Sequence, residues 1–527
     1  MAESTRDISG LGLEELKTLL VQALEENARL KKENAELREE IARLKGLKGR
    51  PKLKPSGMEK ATQGPAARSA RRQGRRGAKR TKLTVNETRV LKPDGLPEGA
   101  RFKGYEDFIV QDIVIMPWTV RYRRERWLLP SGETVLAPLP KGVTSHFGPE
   151  LKRFVLSQYH QGQVTVPRLA AWLADLGIDI SKRQIVRLLS TKQDAFLAEA
   201  IEALRAGLAS ASWINVDDTG ARHKARNGFC THIGNDRFAF FATTASKSRI
   251  NFLELLRAGS GEYVINEAAL AYMREHNLPE ATIAHFGGAK RRFTSRKAFM
   301  TYLKRLGLTG LAVKPGPVQI ATEGALWGSI AEQGLLDGTV IVSDGAGQFK
   351  IAEHALCWVH AERLIHKLDT FCEAHIQAKE CIRRRIWRLY KALKAYRLAP
   401  APRRAARLAR RFDAIFSTET GFATLDRLLA RLRAQKDELL MVLKHPEIPL
   451  HTNGSENDIR CQVTRRKISA GTRSDAGRDA RDAFLGLMKT CAKHAISFWD
   501  YLGDRLGVPD APAIAPLAEL IGKPPPP

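Results

Sequence analysis

Three acidic sites in this sequence have the residue types and the surroundings that metal-dependent phosphoryl chemistry needs. Asp344 ends the β-branched run 340–343 and is followed at once by a glycine. Asp217 and Asp218 end an earlier strand-like run, and Glu456 lies near the start of a predicted late helix. An acid at the tip of a buried strand is held rigidly and points out of the sheet, which suits a metal ligand. We therefore expect the three sites to meet in space.

Clustered carboxylates repel one another and require cations, and Mg²⁺ prefers carboxylate oxygens and water as ligands. Two such ions about 4 Å apart can activate a nucleophile and stabilise a leaving oxyanion in an in-line phosphoryl displacement. A five-stranded sheet of the ribonuclease H type would deliver carboxylates to one edge in this way. Glu456 lies 112 residues after Asp344, so we expect a helical block inserted between them. With 57 acidic residues in the chain, however, spacing alone is weak evidence.

The composition favours a nucleic-acid partner. The 527 residues carry a formal net charge of +29, and a protein this basic binds polyanions more readily than anything else. No apolar run approaches the roughly 20 residues that span a bilayer, and the N-terminus lacks a secretory pattern. Six scattered cysteines without a CxxC pair predict reduced thiols in a cytosolic compartment and no four-thiolate zinc site.

A leucine heptad near the N-terminus predicts a parallel two-stranded coiled coil, because leucine at d positions and asparagine at a positions fix that state and its register. A single amphipathic helix lying on the body is the alternative. The predicted dimerisation positions are Leu13, Leu16, Leu20, Asn27, Leu30, Asn34, Leu37, Ile41 and Leu44. Residues 45–82 then hold 14 Lys or Arg and one acid, which predicts a disordered cationic linker that could neutralise phosphates.

Two further segments precede the first acid. Residues 86–147 alternate short apolar runs with turns, including one at 130–132, and predict a small β-rich module with a basic strand face. Residues 148–205 predict two helices around a glycine turn, with Ser181 as N-cap of the second. This pattern is typical of a helix-turn-helix, although a helical hairpin packed in a core is equally compatible. The side chains expected to face DNA are Lys182, Arg183, Gln184 and Arg187.

The remaining sequence predicts an α/β unit that begins near Trp213. Three strand-like runs joined by tight turns predict an antiparallel meander. Residues 263–335 are mixed in character and predict an insertion, and residues 361–445 are strongly helical and basic.

Four motifs together resemble the DDE transposases of the insertion-sequence sixty-six type, in chain order from the heptad to about residue 500. They are Asp217-Asp218-Thr219-Gly220, the Asp344-Gly345 strand end, Cys357-Trp358-Val359-His360-Ala361-Glu362-Arg363, and Asn453-Gly454-Ser455-Glu456-Asn457-Asp458-Ile459-Arg460 followed by Arg465-Arg466-Lys467. The resemblance implies an enzyme that cuts and joins DNA strands at the ends of a mobile element. Water would attack first, and the freed 3′-hydroxyl would then attack target DNA without a covalent protein intermediate.

Carried onto this sequence, the resemblance implies Asp217, Asp344 and Glu456 as catalytic residues and as ligands of two Mg²⁺ or Mn²⁺ ions. The family usually has Asp-Glu-Thr at the first site, so either Asp217 or Asp218 could be the ligand. We choose Asp217 because it takes the place of the family's Asp, and adjacent strand residues face opposite ways. The family's cysteine-rich module before the catalytic domain has no counterpart, since the first cysteine here is Cys230. We therefore expect no zinc, and a β-rich module that folds on its apolar core alone.

The other motif residues are expected to support the acids. A structural or DNA-positioning role is expected for Cys357, His360, Arg363 and Asn453, although Cys357 and His360 could also be half of a zinc site. Phosphate contacts are expected from Arg460, Arg465, Arg466 and Lys467, for which a solvated cationic face is the alternative. The stretch 222–224, which follows the first acid, could hold phosphates in the same way.

The expected fold class is multidomain α/β, with an RNase H-like catalytic core that contains a helical insertion and follows a coiled coil, a small β-rich module and a helix-turn-helix-like segment. The expected boundaries are 9–48 (coiled coil), 49–85 (basic disordered linker), 86–147 (β-rich module), 148–205 (DNA-binding helices), 206–262 (first core segment), 263–335 (insertion), 336–360 (second core segment), 361–449 (helical basic insertion), 450–505 (third core segment, with the Glu456 helix) and 506–527 (tail).

The expected partners are double-stranded DNA at element ends and target, a second copy in a homodimer or higher oligomer, and accessory transposition proteins. We expect a bacterial, cytoplasmic, nucleoid-associated protein with no membrane partner. The alternatives are a non-catalytic DNA-binding or nucleoid protein and another RNase H-like nuclease.

Overall fold

The computed structural model describes residues 85–95, 100–140, 145–287, 290–309 and 316–522. The predicted coiled coil at 9–48, with its dimerisation positions, lies outside these residues, and so does the basic linker apart from Val85. In the described part of the chain, no helix is both long enough and apolar enough to cross a membrane.

The strands of the described residues form two antiparallel two-stranded pairs and one larger sheet. They are β1 (Arg126–Leu128), β2 (Thr134–Leu136), β3 (Trp213–His223), β4 (Arg226–Gly234), β5 (Ala239–Thr244), β6 (Tyr263–Ile265), β7 (Arg291–Phe293), β8 (Val340–Ser343) and β9 (His354–Leu356).

The α-helices fall into an N-terminal group, a group within the mixed insertion, a basic helical block and a C-terminal group. They are α1 (Pro149–His160), α2 (Val166–Asp175), α3 (Lys182–Ser190), α4 (Asp194–Ser210), α5 (Arg249–Leu256), α6 (Glu267–Glu275), α7 (Glu280–Ala284), α8 (Arg296–Arg305), α9 (Pro317–Glu332), α10 (Trp358–His366), α11 (Glu373–Leu398), α12 (Pro402–Phe416), α13 (Ala423–Ala434), α14 (Lys436–Leu439), α15 (Asn453–Ser469), α16 (Asp475–Lys493), α17 (Phe498–Leu506) and α18 (Leu517–Gly522). Two 3-10 turns occupy Gly347–Phe349 and Met441–Leu443.

A five-stranded mixed sheet in the order β5-β4-β3-β8-β9 positions the acids. Strands β3, β4 and β5 are antiparallel neighbours, so the predicted meander is confirmed. Strand β8 runs parallel to β3, and β9 runs parallel to β8. Every residue of β8 is buried, as expected for a β-branched run inside a parallel sheet region. The fold is therefore mixed α/β.

The two faces of the sheet are covered by different helices. Ile214 and Val216 of β3 point into a large apolar core shared with α4, α5, α6 and α9. Ala221 of the same strand lies on the opposite face, with Ile459 of α15 and Leu485 of α16. Because side chains alternate along a strand, the odd-numbered positions of β3, including Asp217, belong to the face that α15 covers.

The segment before α1 contains less regular structure than expected. In its described residues, the strands are β1 and β2, paired with Trp127 opposite Val135 and joined through the predicted turn at 130–132. Many large apolar side chains here are exposed, among them Phe108, Trp118 and Trp127. The described residues thus form no apolar core of their own, contrary to expectation, because only one short hairpin pairs and leaves the neighbouring apolar runs without partners.

Helices α1 to α4 pack on the C-terminal helices. Ser181 caps α3 as predicted, and its hydroxyl and backbone amide exchange hydrogen bonds with Gln184 in a capping box. The inward residues of these helices, such as Leu169 and Ile185, share one apolar core with Phe484 of α16. The α2–α3 hairpin is therefore packed on its inner side, whereas Lys182, Arg183 and Arg187 are exposed.

Helices α11 to α14 occupy the stretch between Asp344 and Glu456 in which a helical block was expected. The block is fastened to the core by Trp358 of α10, which is fully buried. The indole Nε1 of Trp358 donates to the Leu439 carbonyl at 2.8 Å, and its ring packs on Phe412 and Phe416 of α12. Arg383 of α11 also pairs with Glu362 of α10 at 2.6 Å. These contacts fix the block rigidly on α10.

Candidate active site

Asp217 lies within β3, on the face of the sheet that α15 covers. The pKa of Asp217 is raised to about 6, chiefly by burial and then by the negative charges of Asp344 and Glu456, while the Asp218 amide and His360 oppose the rise. The Asp218 amide donates to Asp217 Oδ1 at 2.8 Å. Asp217 is therefore a desolvated carboxyl group that feels the charge of both other predicted acids.

Asp344 follows the last residue of β8 and is exposed. Asn215 pairs with Val342 across the parallel strands, so the register brings Asp217 and Asp344, each two residues further on, to the same end of the sheet. Asp344 Oδ1 accepts a hydrogen bond from the Ala346 amide at 3.0 Å. Gly345 has φ +94°, a conformation that favours glycine, which explains the residue that follows the acid.

Glu456 lies in the first turn of α15, where a carboxylate is also favoured by the helix dipole. Its Oε1 is buried and makes no hydrogen bond to the described residues. The nearest cationic atoms are His360 Nε2 at 3.6 Å and Arg363 Nη2 at 3.7 Å, both on α10. A buried carboxylate oxygen without a hydrogen bond is costly, so this atom is one that a cation would stabilise.

Asp218 has a different environment from Asp217. The Thr231 hydroxyl donates to Asp218 Oδ1, and Gln348 Nε2 donates to Oδ2 at 2.8 Å. Both oxygens of Asp218 are thus hydrogen-bonded to protein groups, whereas Asp217 is the aspartate whose pKa responds to the charges of Asp344 and Glu456. Of the two candidates left open by the sequence, Asp217 is the one that lies with the other acids.

Cys357 and His360 form a coupled pair at the start of α10. Burial would raise the pKa of the Cys357 thiol, but its interaction with His360 outweighs burial and lowers it. Conversely, burial would lower the pKa of His360, and the interaction with Cys357 raises it instead. The Thr452 amide donates to Cys357 Sγ at 3.4 Å, which links α10 to the start of α15. The pair therefore lies beside Glu456 and helps to align the two helices.

The donor chemistry of the three acids fits Mg²⁺ or Mn²⁺, which take carboxylate oxygens and retain water. The fit rests on the desolvated Asp217 and on the orphan oxygen of Glu456. Among the described residues, no three His, Cys, Asp or Glu side chains lie close enough together to enclose a single ion. Ligation would therefore draw on water and substrate oxygens as well as on these carboxylates.

A buried polar network that sequence reasoning missed holds α15 on the sheet. His232, which pairs with Asp217 across β3 and β4, is hydrogen-bonded through Nδ1 to the Ser455 hydroxyl. Its Nε2 lies 3.4 Å from Asp458 Oδ2, and Lys493 of α16 reaches the same oxygen at 2.8 Å. Burial would raise the pKa of Asp458, but His232 and Lys493 outweigh it and hold the pKa well below its usual range. The network fixes the residues on either side of Glu456.

Two stretches of the chain match a known protein family. Residues 144–262 and 327–480 match the family described as "Transposase IS66 family". The chain belongs to this family. The first matched stretch contains Asp217, and the second contains Asp344 and Glu456. Much of the expected insertion, residues 263–326, falls between the matched stretches.

A curated relative covers a portion of this IS66-family chain. The uncharacterized protein y4jO of Sinorhizobium fredii (strain NBRC 101917 / NGR234) is 51% identical over 319 residues. Those residues are 60% of this chain and 98% of that protein.

The predicted phosphate-contacting residues of this transposase-family chain fall into two groups. Arg460 and Lys467 of α15 are exposed. Arg465 is buried, with its guanidinium 3.6 Å above the Tyr159 ring and Nη1 donating to the Tyr159 carbonyl at 2.9 Å. Arg466 is half-buried and donates to the Gly220 carbonyl of β3. These two arginines tie α15 to its neighbours, so their first role is packing.

Four other predicted residues also have protein partners. Gln184 is half-buried and uses its amide oxygen in the α3 capping box. Asn453 is the first residue of α15, and its amide donates to His451 Nδ1 at 3.3 Å. In the stretch 222–224, His223 Nε2 bonds Asp475 Oδ1 at 2.9 Å, and Lys224 contacts the same carboxylate. Local pairing thus occupies the side chains of Gln184, His223 and Lys224, whereas Asn453 uses its backbone amide.

Proposed function

We propose that this chain is a DDE-type DNA transposase that cleaves phosphodiester bonds at the ends of an insertion sequence and joins the freed strand to target DNA. The observation that carries the proposal is the placement of Asp217, Asp344 and Glu456 on adjacent elements at one end of the sheet, with the charge of the other two acids acting on Asp217. The strand order, with three antiparallel strands followed by two parallel ones, also supports an RNase H-like core.

The three acids would hold two Mg²⁺ or Mn²⁺ ions, which when bound supply Lewis-acid activation of the attacking oxygen and stabilise the leaving oxyanion. Two residues of α10, Arg363 and His360, lie at the edge of the acid cluster and would attract the phosphate of the substrate. In the first reaction water displaces the 3′-oxygen of the element end. In the second the freed 3′-hydroxyl attacks a target phosphodiester and displaces the 3′-oxygen of the target strand, and no bond to the protein forms.

DNA would approach along the exposed cations that flank the site. Lys182, Arg183 and Arg187 on α3, and Arg460 and Lys467 on α15, are the predicted contacts whose side chains are exposed. Arginine and lysine at such positions contribute affinity through phosphates and set orientation, without reading sequence by themselves. Cytoplasmic, nucleoid-associated action and self-association through the heptad belong to the same proposal.

The proposal is tested by single isosteric substitutions in the full chain. Asp217→Asn, Asp344→Asn and Glu456→Gln are each expected to abolish Mg²⁺-dependent nicking of element-end DNA while leaving DNA binding intact. Asp218→Asn is the matched control and is expected to retain nicking, because its carboxylate is hydrogen-bonded within the protein. Retention of nicking by any of the three variants would remove that acid from the triad.

The wild-type protein distinguishes the alternatives. Nicking followed by joining of the 3′ end to a target duplex is the expected result. Nicking without joining would indicate another RNase H-like nuclease. Tight DNA binding without nicking, even with accessory proteins supplied, would indicate a non-catalytic DNA-binding protein.

A further inference from the structure

Helix α12 has an outward face built of cations and small residues. The single acid of the helix, Asp413, is half-buried and pairs with Lys436 at 2.7 Å, so it does not neutralise that face. The inward residues Leu408 and Phe412 are buried. The exposed residues are Pro402, Arg403, Ala406, Arg407, Arg410 and Ala414.

The neighbouring helix α11 adds a second cationic row. Its exposed Arg384, Arg388 and Lys391 have the i, i+4, i+7 spacing that places side chains on one helix face. The two helices are antiparallel neighbours: Arg404 near the start of α12 donates to the Ala395 carbonyl near the end of α11, and Arg385 at the middle of α11 donates to the Ala414 carbonyl near the end of α12. Residues 373–439, which span the helical block, contain 17 Lys or Arg and 7 Asp or Glu. The exposed cations of α11 and α12 therefore belong to a helical block with a large excess of positive charge.

The spacing of the α12 arginines suits a nucleic-acid backbone. Seven residues of helix rise by about 10 Å, the axial length over which one DNA strand presents roughly three phosphates. The alanines between the arginines leave room for the backbone to approach. Like charges at i, i+4 destabilise a helix by a few tenths of a kcal/mol per pair. A polyanion would turn that repulsion into attraction.

The basic face is rigidly coupled to the acids. Phe412 and Phe416 of α12 pack on Trp358, the first residue of α10, and the same helix places His360 and Arg363 beside Glu456. DNA held on α12 would thus have a fixed position relative to the sheet edge.

We propose that the exposed face of α12, extended by the exposed cations of α11, binds the sugar-phosphate backbone of double-stranded DNA independently of sequence. The surface is separate from α3 and from the exposed cations of α15. The inference rests on the proposed function, because it makes the helical block a second DNA contact on the same rigid body as the acids.

The test is the salt dependence of binding to a short random-sequence duplex, measured by fluorescence anisotropy with the full chain in about 50 to 200 mM salt. Each phosphate contact contributes about 0.9 to the slope of log affinity against log salt. The triple variant Arg403→Gln, Arg407→Gln, Arg410→Gln is expected to lower that slope by up to about 2.7. Circular dichroism should show unchanged helix content, because the three side chains are exposed.

The matched control removes three exposed cations from α8, which lies in the stretch outside the family match: Lys297→Gln, Lys304→Gln, Arg305→Gln. Both triple variants lose the same net charge, so a slope that falls only for α12 shows local contact. An equal fall in both variants, or no fall for α12, would overturn the inference. If wild type nicks DNA while the α12 variant keeps its slope, this inference alone fails. If the wild-type protein never nicks DNA but the α12 variant has a lower salt-dependence slope, the proposed function is wrong and the DNA-binding role of α12 is retained.

Discussion

Asp217→Asn should stabilise the metal-free protein at neutral pH. The pKa of Asp217 is about 6 in the folded chain against an ordinary 3.8. Below pH 3.8 the carboxyl group is protonated in both states and contributes nothing. Above pH 6 it is ionised in both, and the folded state carries the full cost of the buried, repelled charge. At about 1.4 kcal/mol per pKa unit, that cost is about 3 kcal/mol.

An asparagine keeps the shape of the side chain and can still accept from the Asp218 amide, so the substitution removes the charge alone. Roughly 400 folded residues at about 2.1 cal/mol/K each give an unfolding entropy near 0.9 kcal/mol/K, so Tm should rise by roughly 3 to 4 °C at pH 7.5. The gain should vanish near pH 3.8. Saturating Mg²⁺ should raise the Tm of wild type more than that of the variant, because the ion binds the folded acid cluster.

The assay is thermal unfolding of wild type, Asp217→Asn and Asp218→Asn with EDTA and with Mg²⁺, at both pH values. Asp218→Asn should give no gain, because its carboxylate already accepts from Thr231 and Gln348. A Tm for Asp217→Asn equal to or below that of wild type at pH 7.5 would refute the reasoning. So would an equal gain for both variants.

Two other predictions concern assembly and stability. Deleting residues 9–48 should leave a monomer in light scattering, since the heptad is the predicted dimer interface, and an unchanged mass would rule out the coiled coil. Lys493→Met should lower the free energy of unfolding by roughly 3 kcal/mol at pH 7, because it leaves the buried Asp458 without its closest cation. Urea unfolding would measure this loss, with the exposed lysine variant Lys467→Met as the control. A loss no larger than that of the control would contradict the prediction.

Local patterns in the sequence predicted the elements that carry the acids. The β-branched run before Asp344 forms β8, the tight turns after β3 and β4 produce the meander, and Ser181 caps α3. Strand β9 could not be located in advance, because it has only three residues and its pairing with β8 is a long-range contact. The β-rich module was overestimated for a related reason. Alternating apolar residues predict strands only when a partner strand is present, and the described residues pair in one hairpin.

Sequence reasoning also treated most cations near the acids as phosphate contacts. Arg465 and Arg466 show how packing competes with that role: helical periodicity turns one toward Tyr159 and the other toward β3, and both donate to carbonyl oxygens there. The His232–Asp458 pair was missed for the converse reason. A histidine inside a strand and an aspartate inside a helix give no signal of their partnership, since 226 positions separate them along the chain.

Glu456 and Asp458 show how one helix can serve both the chemistry and the stability of this protein. Two residues apart on α15, they point in nearly opposite directions, since each helical residue turns by 100°. Glu456 lies with the other acids, and its oxygen without a hydrogen bond adds a cost to the folded state that His360 and Arg363, at 3.6 and 3.7 Å, reduce by charge alone. Asp458 faces His232 and Lys493, and its lowered pKa means that it stabilises the folded state at neutral pH and loses that contribution only as strong acid protonates it.

Glu456 and Asp458 thus contribute to folded-state stability with opposite signs. This explains why the acid cluster can stay desolvated while α15 remains firmly packed. Asp458 points away from Glu456 on α15 and draws counter-charges from Lys489 and Lys493 of α16, so neutralising Glu456 leaves these ion pairs in place. Removing these ion pairs should, in contrast, disturb the acids, because Ser455 and Asp458 flank Glu456 on both sides. The network around His232 is therefore the structural condition under which three repelling carboxylates can share one edge of the sheet.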